Sequence, residues 1–159
     1  MASFVQDEYQ KTKERNNALK STSNSIISDL KSAQTSDGVV KVIEAVNNGA
    51  YLNKHVIFTH ITTPEGDVLA SSGFPKSVGR NVMMLTIDGK HVAQNMNELA
   101  ARGGGISVKS SSQGGYDIMR VSPQITLVDG TELYINVGTR ISPKNALTTR
   151  EEFQPYKKN

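Results

Sequence analysis

Three histidines, His55, His60 and His91, are the only imidazoles in the chain, and cysteine is absent. Without a thiol there is no thiolate nucleophile, no disulfide and no sulfur ligand for zinc. His55 and His60 stand five apart in HVIFTHITT (55–63), a stretch rich in the β-branched and aromatic residues that favour strands. Side chains alternate along a strand, so an odd separation sends the two imidazoles to opposite faces and denies them a shared metal. Each is then either a half-buried strand histidine or part of a pocket wall. No Ser-His-Asp or Cys-His order comes with supporting motifs, and Ser71-Ser72 sits in no strand–turn–helix elbow. Paired carboxylates are missing from the predicted strand ends, so hydrolysis has no visible machinery. These residues read as those of a binding protein, not an enzyme, with no cofactor and no metal.

Glycine and arginine carry the remaining chemistry. Arg102-Gly103-Gly104-Gly105 follows a helical stretch and precedes a strand. A phosphate cradle needs the reverse order, with free N–H groups at a helix start, so this triplet reads as a helix stop. The loop GFPKSVGRN (73–81) precedes a helix and fits a segment that covers a pocket. Arg120 lies in the otherwise apolar strand YDIMRVSPQI (116–125), where a guanidinium could hold a carboxylate with two parallel hydrogen bonds. The other reading places Arg120 on the outer sheet face, in solvent. Tyr51, Phe58, His60 and Tyr134 are the ring-bearing candidates for a pocket wall, with Tyr116, Met119 and Asn136 beside them. Met83, Met84 and Met96 read as core filler.

These residues need elements to hold them. Residues 4–33 contain no Gly or Pro and place Leu19, Ile26 and Leu30 at helical spacing, which predicts one long helix. Its first half is polar nearly all round, so it is expected to project while Leu19 to Leu30 pack down. Ser36 or Asp37 is expected to cap a short helix over 38–47, which Asn48-Gly49 ends. HVIFTHITT and VLASS (68–72) form a hairpin about Pro64–Asp67. A further helix is predicted over 90–101. Three strands follow: ISVKS (106–110), YDIMRVSPQI, and ELYINVGTRI (132–141) after an Asp129-Gly130 turn. The predicted class is α+β, a five-stranded antiparallel sheet with helices on one side, and the polar segment 142–159 reads as a tail.

With 159 residues the chain suffices for one domain with one core, and 36% hydrophobic residues without tryptophan leave room for solvated extensions. Eighteen Lys+Arg against 15 Asp+Glu give a formal charge of +3, which mildly favours an anionic ligand. No basic run is interleaved with aromatics, so a nucleic-acid partner is not expected. No apolar run approaches the ~20 residues that span a bilayer. No secretory leader is legible where Met1–Val5 run into Gln6-Asp7-Glu8, and a targeting or anchoring segment outside this sequence stays open.

Over about 36–141 the chain resembles the single Cache domain family, the PAS-like sensor modules of chemoreceptors, histidine kinases and cyclases. Four pieces carry the resemblance: HVIFTHITTPEGDVLASS, with its turn followed by Val-Leu-Ala; Val78-Gly79-Arg80-Asn81; NELAARGGG (97–105); and the terminal strand with Gly138 near its end. The turn is Pro64-Glu65-Gly66 where the family typically has Asp-Gly, and Ile106-Ser107 stand where a Trp or Tyr is common. The resemblance implies a division into a long helix (1–35), a ligand-binding domain (36–141) and a tail (142–159). It also implies a small organic ligand, often a short carboxylate, held between the concave sheet face and its covering helix and loops. Tyr51, Phe58, His60, Tyr116, Met119, Arg120, Tyr134 and Asn136 would then line the site. Such a domain is extracytoplasmic, belongs to a membrane-anchored receptor and signals through its long helix, here with a homodimer expected through residues 4–20. A free-standing interaction protein of the same fold, with no ligand, is the alternative.

Overall fold

Helix α1 runs from Ala2 to Ser32 without a break, as its lack of Gly and Pro predicts. In this computed structural model the described residues are 2–73, 78–82, 86–87, 90–91, 96–101, 103–109 and 116–141. The inward stripe of α1 is longer than its apolar residues alone suggest. Thr12, Arg15, Leu19, Thr22, Ile26 and Leu30 are all buried, at steps of three and four. The expected projection therefore cannot begin at Leu19, because packing reaches at least as far as Thr12. The reason lies in the partner: α1 packs along β8 (Glu132–Ile141), a ten-residue strand about 33 Å long. At Arg15 the aliphatic stem, rather than an apolar side chain, can cover the sheet.

Helix α2 (Ser36–Asn47) returns across the same face and buries Val42 and Val46. Its N-cap is Thr35, whose Oγ1 accepts the Gly38 N–H at 3.1 Å, one residue before the first of the two expected caps, Ser36 and Asp37. Gly49, at φ 79°, takes the left-handed turn that follows the helix.

Strands β1 (Phe58–Thr62) and β2 (Val68–Gly73) form the expected hairpin. β1 starts three residues later than HVIFTHITT predicts. The Asn53 carboxamide oxygen accepts the N–H groups of His55 and Val56, at 3.0 and 3.1 Å, and holds those residues in a local turn. The argument from two histidines on one strand therefore lapses, since His55 precedes the strand. A short hairpin, β3 (Thr86–Ile87) with β4 (Lys90–His91), comes next. It displaces the start of the helix predicted over 90–101, of which the described part is α3 (Met96–Ala101). Strands β5 (Gly104–Lys109) and β6 (Tyr116–Val121) follow. The strand predicted over 116–125 breaks at Ser122-Pro123-Gln124, because proline offers no N–H to the ladder. The short β7 (Ile125–Thr126) then pairs with β8 through the loop at Asp129-Gly130.

The five main strands run in the order β2-β1-β8-β6-β5, every neighbouring pair antiparallel, with β7 also on β8. The last of the described strands thus lies in the middle of the sheet. This is an α+β, PAS-like architecture with a long N-terminal helix. Contrary to the expectation of helices on one side only, α1 and α2 cover one face of the sheet and α3 the other. Leu19, Ile26, Leu30, Val42 and Val46 form one core with Ile61, Ala70, Leu133, Ile135 and Val137, while Met96 and Leu99 of α3 join Phe58, Met119, Val121 and Tyr134 on the opposite face. Among the described residues, no helix is long and apolar enough to cross a membrane. The predicted tail 142–159, Met83, Met84 and residues 74–77 of the predicted covering loop lie outside the described residues.

Candidate functional site

Register decides which candidates can meet. Residues that are Cα partners in an antiparallel pair project to the same face, and alternation along each strand does the rest. On β1 and β8 the partners are Phe58 with Gly138, His60 with Asn136, and Thr62 with Tyr134. On β6, Met119 pairs with Gly138 and Val121 with Asn136. Ser71 of β2 lies opposite His60. These residues share the face that α3 covers, the face turned away from α1 and α2. It gathers five of the sequence-derived candidates: Phe58, His60, Met119, Tyr134 and Asn136.

Two others are placed elsewhere. Arg120 pairs with Val137, a member of the core beneath α1 and α2, so it belongs to the opposite face from Asn136. A carboxylate clamp by Arg120 in this site is therefore corrected: one residue's difference in register reverses the face of a side chain. Tyr51 sits in the connection after α2, packs against the helix-side core, and donates its hydroxyl to Asp29 Oδ2 at 2.6 Å. Burial, reinforced by that hydrogen bond and the Asp29 charge, pushes its phenol well above the ordinary range. Tyr51 ties α1 to the loop after α2 and is no part of the α3-covered face. Tyr116 opens β6 opposite Ile141, and its side chain lies outside the described residues.

At the centre of the α3-covered face lies a polar island within an apolar ring. Asn136 is fully buried, and its Nδ2 donates to Thr62 Oγ1 at 3.0 Å. Its Oδ1 is buried and has no hydrogen-bond partner among the described residues. An amide oxygen in that condition costs about 1–3 kcal/mol relative to a satisfied one, so the fold carries it against a gradient. His60 lies across the pair at 6% exposure, its ring 5.1 Å from that of Phe58 and tilted by 38°. Ser71 is buried beyond it. Its backbone N–H donates to Asn47 Oδ1 at 2.9 Å, which ties β2 to the end of α2.

The ring around this island is tight. A Cβ on Gly138 would fall 1.8 Å from Phe58 Cζ, so the glycine is the notch in β8 in which the phenyl ring sits. Tyr134 is buried to 1% and donates its hydroxyl to Gln124 Oε1 at 2.9 Å. Desolvation, with the Glu132 charge added, raises its phenol pKa and keeps it a neutral donor. Thr62 and Ser71 were not among the residues singled out from sequence. Thr62 could have been found at the same face by counting two residues on from His60. Ser71 needed the hairpin register, which shifts between Ile61 and Thr62.

This arrangement can hold and orient a small polar group by hydrogen bonding against aromatic and thioether surface. Among the described residues no group of three or more His, Cys, Asp or Glu is placed to hold a metal ion. Comparison with known proteins leaves this geometry to speak alone: no family model, no curated protein and no solved structure matches the chain.

Proposed function

We propose that this chain is an extracytoplasmic sensor domain that reversibly binds a small organic ligand and passes the event to an output module of a membrane-anchored receptor. The single observation behind this reading is the buried Asn136 amide, whose Oδ1 lacks a hydrogen-bond partner among the described residues, at the centre of the face opposite the long helix. The strand order and the family resemblance support a ligand on that face. Transmission has a physical route, because β8 carries Asn136 towards the α3 side and packs against α1 with its other side. A ligand that binds better to one setting of β8 biases α1 by the same differential free energy. A homodimer through α1 over residues 4–20 would present exposed polar side chains such as Gln10, Lys13 and Asn17 to its copy.

A second reading, an interaction protein of this fold with no ligand, is favoured by the packing of the same face. Met96, Leu99, Met119 and Tyr134 are each at most 8% exposed there. A thermal-shift screen against small carboxylates, amino acids, amines and amides separates the two. A ligand at a hundred times its Kd adds about 2.7 kcal/mol, or roughly 5–11 °C for a domain of this size. Arg120→Ala should leave such a shift unchanged. Silence across every class would favour the ligand-free reading, and loss of the shift in Arg120→Ala would contradict the register argument.

A further inference from the structure

We infer that the ligand of this face is uncharged and carries an N–H or O–H donor next to a short apolar group, with a primary carboxamide as the best match. This rests on the ligand-binding reading above and specifies the chemistry that the site accepts.

The anchor is Asn136. One N–H of its Nδ2 donates to Thr62 Oγ1, while its Oδ1, a carbonyl oxygen that can only accept, has no hydrogen-bond partner among the described residues. An ionised carboxylate offers acceptors alone, and beside Oδ1 it would set oxygen lone pairs against oxygen lone pairs. It would also arrive as a charge in a fully buried place, where an unpaired anion is costly. No lysine or arginine stands beside Asn136 on the described strands to offset that cost. Arg120 is on the other face. Arg140 shares the Asn136 face by register but stands opposite Asp117. It is four residues along β8, about 13 Å away at the strand rise, with Gly138 and the Phe58 ring in between.

A carboxamide meets each of these conditions. Its NH2 supplies the donor that Oδ1 lacks, and its own oxygen can accept from a hydroxyl or imidazole donor close by. Of the polar side chains on this face, His60 stands directly across from Asn136, Thr62 is already bonded to its Nδ2, and Ser71 lies one strand further, beyond His60. A short alkyl group would lie against Phe58, Met119 and Val121, all in the apolar cluster of this face. The size is bounded by the same ring, because every member of it is already packed. The occupant is of the order of a few heavy atoms.

Titration calorimetry of the whole chain with propionamide and with propionate, isosteres that differ in charge and donor content, tests this. Propionamide should bind saturably and at least tenfold more tightly than propionate, and Asn136→Leu should abolish its heat. Should Asn136→Leu fail to fold, Thr62→Val leaves the amide in place without its anchor and should weaken propionamide severalfold. Propionate binding as well as or better than propionamide would overturn the donor assignment while leaving the sensor reading intact. Saturable binding of propionamide that both variants leave unchanged would overturn the placement at Asn136. No heat with either isostere, in a chain whose thermal-shift screen does respond to some other ligand, would overturn the class, whereas silence in both experiments would remove the sensor reading as well.

Discussion

Gly138→Ala should be among the most damaging single-methyl additions in this chain, and the damage should vanish when Phe58 is shortened. The added Cβ would lie 1.8, 2.2 and 2.4 Å from Phe58 Cζ, Cε2 and Cε1. Carbon atoms pack at about 3.5–4 Å, so the ring must retreat by nearly 2 Å. It has nowhere to go, since Phe58 is clustered with Val68, Val82, Met96, Leu99, Met119, Val121 and Tyr134. Overpacking of a filled core costs typically 1–3 kcal/mol, and so large an overlap belongs at the upper end, about 3 kcal/mol. In a domain of this size that lowers Tm by roughly 6–12 °C. Phe58→Ala alone should cost about 3–5 kcal/mol through its cavity. The double variant should then cost no more than Phe58→Ala, because the new methyl enters space the ring has left. A double-mutant cycle by urea unfolding measures this directly, with an expected coupling of about 3 kcal/mol. Additivity to within about 0.5 kcal/mol, or a neutral Gly138→Ala, would refute the placement of the phenyl ring over the β8 backbone.

Three further outcomes are expected. Leu30→Ala, at a position 1% exposed between α1 and the sheet, should destabilise by about 2–5 kcal/mol in chemical denaturation. Thr35→Ala removes the cap on the Gly38 N–H and should cost about 1 kcal/mol, with Thr35→Ser restoring most of it. The Tyr51 phenol is raised in the folded chain, by burial first and then by Asp29, so its contribution to stability is present below the ordinary value of 10.0 and is lost as pH rises beyond it. Unfolding free energies measured from pH 8 upward should therefore fall more steeply for the native chain than for Tyr51→Phe, and parallel curves would contradict the Tyr51–Asp29 contact.

The elements were legible in the sequence wherever local pattern dominates. An unbroken helical stretch gave α1, Gly49 ended α2, and the turns at 64–67 and at Asp129-Gly130 separated strands that alternate or carry β-branched residues. Local reading failed where a side chain or a distant strand overruled the pattern. Asn53 captured two backbone N–H groups and delayed β1, and Pro123 cut the long strand after Val121. The β3–β4 hairpin was missed although Asp88-Gly89, a strong turn signal, stands between its strands.

The sequence by itself determined the composition of the site: which strands carry its aromatic, histidine and asparagine side chains, and that no thiol takes part. The partition of those side chains between two faces was decided only by the tertiary structure. Alternation along one strand tells which residues share a face with each other, but it does not tell which face of the sheet that is. That choice follows from pairing between strands distant in sequence, as when His60 meets Asn136 and Arg120 falls in line with Val137. A shift of one residue in either pairing would exchange Asn136 for Val137 in the core and expel the polar island. The burial of Leu133, Ile135 and Val137 beneath α1 holds that register in place, and with it the side of the sheet on which the Asn136 amide is found.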